Sequence, residues 1–425
     1  MGDLQRQQCL VVGGGPAGLM LGVLLARAGV RVRVLEKHGD FLRDFRGDTI
    51  HPSTLEVIHE LGWLDQFLGL PHQKVERLSA DIGGERIEIA DFTHLPVQCR
   101  FIAMMPQWDF LNFLAEKGRA YPGFTLSMQS EAIDLVWRDR RVTGVITRDA
   151  SGADERIEAD LVVAADGRGS VLRDKAGMKV TDLGAPMDVM WFRLPQEAND
   201  PQDTLGRIEA GHIFIKLNRG DYWQCAYVFD KGKVEAVRAR GIEAFRADVA
   251  RLAGIPEPRA RDAIPSFDDV KLLNVKVDRL KTWSRPGFLC IGDAAHAMSP
   301  VGGVGVNLAV QDAVAAANLL WQPLLYDRLS EADVMAVQDR RQWPTRVTQA
   351  LQVFAQNRFI GPALAAKGDL KPPPPMRLIR RWPILERVPA RLVGLGVRPE
   401  HVSRAIRAAD GRAASAAAGL RAART

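Results

Sequence analysis

A strand that runs straight into a glycine triplet and out into a helix admits few folds. Cys9 to Val12 is a short apolar run, followed by Gly13-Gly14-Gly15-Pro16-Ala17-Gly18 and an apolar helical stretch from Leu19 to about Ala28. Gly13, Gly15 and Gly18 fit a dinucleotide turn: one glycine for the turn, one for close approach of a pyrophosphate, one for packing of helix on strand. A second strand, Val32 to Leu35, ends at Glu36, the interval at which a carboxylate binds a ribose hydroxyl pair. A lone triplet is weak; strand, triplet, helix, strand and acid in that order predict a Rossmann-type unit. Pro16, Ala17 and Lys37, which flank these positions, are assigned to the same cofactor site. The competing reading is a membrane anchor, because Cys9 to Ala26 carries no charge. Its five glycines and one proline, and the lack of a basic leader with a cleavage site, argue against that.

A second glycine-rich stretch lies far along the chain, from Gly292 to Ala313. The apolar run Phe288 to Ile291 ends at Asp293, and Val306, Ala309, Val310, Ala313 and Val314 then repeat at the spacing of one helical face. A carboxylate thus sits at a strand's C-terminal end, beside backbone amides at a helix N-terminus. The carboxylate can accept hydrogen bonds from sugar-like hydroxyls, and the amides can stabilise localised negative charge. A cofactor with a polyol arm and a ring that becomes anionic on reduction fits both, which describes a flavin. Asp293 is expected at the ribityl or pyrophosphate part. Pro300, Gly302, Gly303 and Gly305 are expected near the ring, where a Cβ would push it away. Val306 and Asn307 open the helix, and the Asn307 amide suits either a hydrogen bond to the flavin or a helix cap.

A third segment has similar design: the apolar strand Leu161 to Ala165 followed by Asp166-Gly167-Arg168-Gly169-Ser170. The three motifs together, in this order and this widely separated, resemble the flavoprotein monooxygenases of the p-hydroxybenzoate hydroxylase fold, the single-component aromatic hydroxylases. The resemblance runs from about Cys9 to Lys371. It implies an α/β fold, with a Rossmann-type FAD-binding domain and an inserted α+β substrate domain whose antiparallel sheet roofs the flavin. It implies that NADH or NADPH reduces FAD without a second dinucleotide fold. It also implies that dioxygen forms a flavin hydroperoxide, which delivers one oxygen atom to an electron-rich, hydrophobic or aromatic small molecule. Asp166 and Gly167 then join the cofactor site. Arg46, opening Arg-Gly-Asp-Thr-Ile-His-Pro-Ser-Thr, stands where the family places an arginine on the cofactor. Arg46 and Pro300 are the candidates for a direct part in catalysis. Gln107 occupies a place where many members carry arginine; glutamine can donate to a ribityl oxygen but forms no ion pair with pyrophosphate.

The cofactor carries most of such chemistry, so few catalytic side chains are required. Tyr222, His212 and Tyr227 are candidates for deprotonating a phenolic substrate; packing or surface polarity is their plainer reading. His51 and His296, inside the motifs, are read as structural. The same fold serves Baeyer–Villiger oxygenation and epoxidation. A halogenase is disfavoured, since Trp191-Phe192-Arg193-Leu194-Pro195 lacks the second Trp and the Ile of the halogenase segment. A flavin-binding redox scaffold without catalysis is the alternative of another class.

At 425 residues the chain holds two or three lobes with ample core. The nucleotide domain reads as split over 1–74, 97–178 and 281–372. The substrate domain takes 75–96 and 179–280, with strands expected at Met187 to Leu194, His212 to Leu217 and Tyr222 to Phe229. Residues 373–425 form a basic helical region after the Lys-Pro-Pro-Pro-Pro break at 371–375. There a weak contact with an anionic membrane competes with packing on the cofactor domain. The formal net charge of +6 suits anionic dinucleotides, and no nucleic-acid-binding motif is present. Scattered cysteines, Cys9, Cys99, Cys225 and Cys290, read as reduced residues of a cytoplasmic protein. Eight histidines show no metal-ligand spacing, so no metal is expected. The oligomeric state is not readable from the sequence.

Overall fold

The short apolar strands sit at the centre of an eight-stranded sheet. A computed structural model of the chain describes residues 6–42, 49–200 and 205–409; Arg46 and most of the alanine- and arginine-rich tail lie outside them. In that sheet Gln7–Val12 pairs in parallel with Val32–Leu35 on one side and with Asp154–Ala164 on the other. Phe288–Cys290 then pairs in parallel with Asp154–Ala164, and Phe124–Ser127 with Val32–Leu35. All three motif strands are therefore neighbours, ending at the same edge. The hairpin strand Arg141–Asp149, expected in this unit, pairs antiparallel with Asp154–Ala164.

Two helices pack together over this sheet, Pro16–Arg27 and Gly305–Leu325. Their sequences are apolar nearly all round, and almost every residue from Ala17 to Ala26 and from Val306 to Ala317 is buried. Each fully buried Leu or Val contributes roughly 1.5–3 kcal/mol. The stretch Val301–Leu325 is long and apolar enough to cross a membrane, yet 78% of its most apolar window is buried inside this fold.

The antiparallel sheet is also present and is larger than expected. Its seven strands run in the order Lys271–Leu273, Met187–Pro195, Tyr222–Asp230, His212–Asn218, Leu205–Glu209, Arg77–Ile82, Glu85–Asp91. An early hairpin from segment 75–96, Arg77–Ile82 paired antiparallel with Glu85–Asp91, joins through a parallel pairing of Arg77–Ile82 with Leu205–Glu209. One face, with Phe192, Phe214, Trp223, Cys225 and Tyr227, is covered by Phe245, Val249 and Leu252 of the helix Ile242–Ala253. The other carries Val189, Ile213, Ala226 and Val228, packed with Val301 of the glycine-rich loop and with Ile360 and Leu364.

The C-terminal region corrects one expectation. The helix Arg387–Gly394 packs through Ala390 on Ala90, Phe92 and Leu95, beside the early hairpin, rather than on the nucleotide sheet alone. Its Val393 also reaches Met298, Val304 and Leu308 next to the glycine-rich loop. Further on, Val402 and Ile406 join the main core.

Candidate active site

The N-terminal turn is built as its glycines require. A Cβ on Gly13, whose φ is +111°, would fall 2.3 Å from the Ala165 carbonyl oxygen. One on Gly18 would fall 1.9 Å from the Gly13 oxygen, so only glycine lets helix and strand close. At Gly15 the same atom would meet nothing within 4 Å. Gly15 caps the helix Pro16–Arg27, and no side chain fills that N-terminus. An open glycine at an uncapped helix start is a seat for a phosphate. Glu36, buried at the end of its strand, accepts the Gly14 N–H at Oε2 and the His38 N–H at Oε1, both at 3.0 Å. Its neighbour Lys37 is exposed.

The second and third motifs meet across the sheet's edge. Arg168 Nη2 donates to Asp293 Oδ2 at 3.1 Å, with both side chains about one-third exposed. Arg168 was missing from the expected site, although it stands next to Asp166 and Gly167 in the quoted motif. Asp166 is half-buried, its Oδ1 is enclosed without a partner, and burial pushes its carboxyl up despite a hydrogen bond to Ser170.

Behind Asp293 lies a buried network that the sequence did not disclose. Asp312 is fully buried; its Oδ2 accepts the Gly292 N–H at 3.0 Å and lies 2.6 Å from His296 Nε2, and its Oδ1 accepts Arg341 Nε at 3.0 Å. Burial alone would raise this carboxyl, but the His296 and Arg341 pairings outweigh it and hold it below the ordinary carboxylate range. Arg341 also pairs with Glu400, which Arg340 grips as well. His296 thus has the structural place expected of it. Asp312 lies near the end of the quoted motif, but nothing in the sequence joins it to residues 341 and 400.

At the loop's far end, Gly302 and Gly303 hold φ of +78° and +64°, and Pro300, Gly303 and Gly305 are half-exposed. The helix Gly305–Leu325 starts there with no side-chain cap, and a Cβ at Gly305 would meet nothing within 4 Å. Asn307 does not cap the helix, and its Nδ2 donates to the Gly303 carbonyl at 3.5 Å. Its Oδ1 accepts the His51 N–H at 3.1 Å and Thr54 Oγ1 at 2.6 Å, tying the segment after Arg46 to this helix, while Val306 is buried beside it. His51 is buried too; Nδ1 is 2.8 Å from the Val393 carbonyl and Nε2 has no partner. Gln107 opens the helix Gln107–Arg119 and is half-buried.

Two of the expected substrate residues face away from this loop. Tyr227 stacks edge-on against Phe245 on the helix-covered face, and burial pushes its phenol up to about 12, which keeps it protonated near neutrality and unable to accept a proton. His212 stands beside it, with Nε2 3.8 Å from Asp248. Strand parity separates the three, since adjacent strand residues point to opposite faces. Tyr222 shares the parity of Ala226 and Val228 and so lies on the loop-side face, with the Arg193 guanidinium 4.8 Å from its ring centroid.

Two uncapped helix starts with open glycines, an enclosed unpartnered oxygen at Asp166 and the Arg168–Asp293 pair lie along one edge. This fits an elongated cofactor with phosphates at one end and an anionic ring at the other. Comparison with known proteins agrees. Residues 6–350 match the family model of the FAD binding domain. A 6-methylpretetramide 4-monooxygenase from Streptomyces rimosus is 32% identical over 388 residues, 90% of this chain and 91% of the relative. An anhydrotetracycline hydroxylase structure from Streptomyces rimosus superposes with a TM-score of 0.69 at 21% identity, over 93% of this chain and 77% of the other. A 2-methyl-3-hydroxypyridine-5-carboxylic acid oxygenase gives 0.68 at 22% identity, over 84% and 93%.

Proposed function

This chain belongs to the FAD binding domain family and is an FAD-dependent monooxygenase, and we propose that it hydroxylates a planar, phenolic aromatic compound, with NADH or NADPH as electron donor. The observation that carries the substrate class is the loop-side face of the antiparallel sheet. Trp191, Ile213, Ile215 and Ala226 make it apolar, Val301 packs against it, and Tyr222 and Arg193 lie toward one end of the same strands. A flat apolar wall with polar groups at one end suits a fused or single aromatic ring bearing hydroxyls. The 6-methylpretetramide relative, at 32% identity, supports the same class.

FAD, when bound, accepts a hydride from the nicotinamide and activates dioxygen for transfer of one atom. The chain's own residues bind, orient and shield. The Gly15 helix start would hold the pyrophosphate, and Glu36, which accepts the Gly14 N–H, would bind the ribose. Asp293 and its partner Arg168 would hold the ribityl chain, with Asp166 contributing nearby. The Gly305 helix start, which has no side-chain cap, would offer its N–H groups to the flavin ring and stabilise negative charge there. Val301, packed on the antiparallel sheet, and its neighbour Pro300 would exclude water from a bound ring. Arg193, beside Tyr222, favours a phenolate over a phenol in a substrate bound there. Arg46 is our proposed contact for FAD or the nicotinamide donor.

We divide the chain as the sequence suggests, with 75–96 and 179–280 as the substrate domain, and assign the protein to the cytoplasm. All four cysteines are buried free thiols, as suits a reducing compartment. A weak contact of segment 376–402 with anionic membrane is a second reading of that region, favoured by the exposed Leu378, Trp382, Ile384 and Val388.

The test is oxygen uptake and NAD(P)H oxidation across phenols, pyridines and polyketide aromatics, with product mass spectrometry. A phenolic compound should accelerate NAD(P)H oxidation and gain one oxygen atom on a ring carbon. Ring expansion to a lactone would make it a Baeyer–Villiger oxygenase. No acceleration by any aromatic would overturn the substrate class.

A further inference from the structure

The long helix Glu331–Ala355 carries Gln349 and Gln352 on one buried face, and the π-helical turn Gln356–Ile360 that follows adds Gln356. Their exposures are 0%, 5% and 0%. Spacings of three and four residues place them on one side of the helix. All three reach the same short segment. Gln349 Nε2 donates to the carbonyls of Asp278 and Ala297 at 2.7 and 3.1 Å. Gln352 Oε1 accepts the Ser299 N–H at 3.2 Å, while its Nε2 donates to the carbonyls of Ser299 and Val301 at 3.0 and 2.8 Å. Gln356 Nε2 donates to Ser299 Oγ.

Buried amides are a costly way to fill space, and apolar side chains of similar size would pack more cheaply. Here the amides satisfy the main chain of an extended segment that belongs to neither sheet, whose polar groups must find partners somewhere. That segment leads directly into Pro300 and the glycines. It is gripped from behind by the glutamines, while Pro300, Gly303 and Gly305 stay half-exposed in front. Of the three glutamines, Gln352 and Gln356 lie beyond the matched family segment, which ends at residue 350.

We propose that Gln349, Gln352 and Gln356 are positioning residues of the oxygenation reaction, fixing the distance between the Ser299–Gly303 backbone and the flavin ring. The inference rests on the reading that this loop faces the ring. A loop held by four main-chain bonds to Gln349 and Gln352 cannot drift from the ring as charge develops there. Without them, the Gly305 helix start sits farther from the anionic ring and stabilises it less.

The test uses purified full-length wild type, Gln352→Met and the milder Gln356→Met, without substrate. FAD affinity is measured by fluorescence titration, then the visible spectrum and the equilibrium constant for two-electron reduction anaerobically against a reference dye. Both variants should retain FAD within about threefold of wild type, because the phosphate and ribityl contacts are untouched. Gln352→Met should shift the visible bands and lower the reduction equilibrium about five- to tenfold, with a smaller change for Gln356→Met. Gln352→Glu should recover little, since it restores the acceptor but neither donor. Lower melting temperatures with unaltered spectra and reduction equilibria in both methionine variants would make the glutamines merely structural and overturn the proposal. If wild type retains FAD yet Gly305→Val leaves its spectrum unchanged, the loop does not face the ring, and the underlying reading is what has failed.

Discussion

His51 has its two ring nitrogens in unlike surroundings. Nδ1–H donates to the Val393 carbonyl at 2.8 Å, and Nε2 is enclosed without a partner. Burial lowers its pKa to about 4. The unfolded chain therefore binds more protons than the folded one between pH 6.5 and 4, so stability falls as pH drops through that window and is complete above it. The difference corresponds to about 3 kcal/mol at the acid end. Melting temperatures of wild type should decline across this range more steeply than those of His51→Gln; parallel curves would show that His51 does not titrate there. Asp293 behaves differently because it is partly exposed and paired with Arg168. Asp293→Ala should leave the melting temperature of FAD-free protein within a few degrees, since such pairs contribute little. It should weaken FAD by roughly tenfold or more in a fluorescence titration, through lost charge-assisted hydrogen bonds worth about 1.5–3 kcal/mol. Asp293 was legible from its place after an apolar strand. The state of His51 was not, because a histidine's pKa is set by neighbours such as Val393 that lie far away along the chain.

Among elements, the glycine-rich loop is tied at its Gly292 end by the C-terminal region and at its Gly303 end by the segment at Thr49. At the Gly292 end the tie runs through Asp312 and Arg341 to Glu400. Glu400→Gln removes the charge that faces both arginines and should reduce stability by about 3 kcal/mol in urea unfolding. It should also weaken FAD binding, because the Gly292 turn loses its support; unchanged affinity would confine Glu400 to folding. At the other end, a Cβ on Gly303 would fall 2.6 Å from Thr49 Oγ1, at a φ of +64° that favours glycine. Gly303→Val should displace the loop from Thr49 and release more hydrogen peroxide per NAD(P)H oxidised. Unaltered coupling would mean that the loop absorbs the change elsewhere. Helices and strands near the motifs were legible because their apolar periodicity is local. Val32–Leu35 was placed to the residue, and the strands at Met187, His212 and Tyr222 within one residue at either end. Facing was harder: the side chains of Tyr222 and Tyr227 were distinguished only once the covering helix Ile242–Ala253 was located.

The whole molecule shows why three distant motifs read as one site. Gln7–Val12 borders Asp154–Ala164, which borders Phe288–Cys290, so separations of more than a hundred residues collapse to adjacent strands. A shortened chain of residues 1–280 keeps Gly13, Gly15, Gly18 and Glu36 but lacks the strand and loop at Asp293. It should fail to retain FAD on gel filtration; a yellow fragment would show that the first motif suffices. The end of the described chain closes the same unit, with Arg27 donating to the carbonyls of Ile406 and Arg407 and Ile406 buried in the main core. On the ribosome, this ordering becomes a matter of timing. At about 5–20 residues per second, the glycine turn emerges within seconds, yet roughly 15–60 s pass before Phe288–Cys290 is made. Throughout that interval the oily first helix lacks its packing partner Gly305–Leu325, and the parallel sheet lacks the strand Phe288–Cys290. Cofactor loading belongs to the finished polypeptide, and the nascent chain is most in need of chaperone protection where its cofactor signature is clearest.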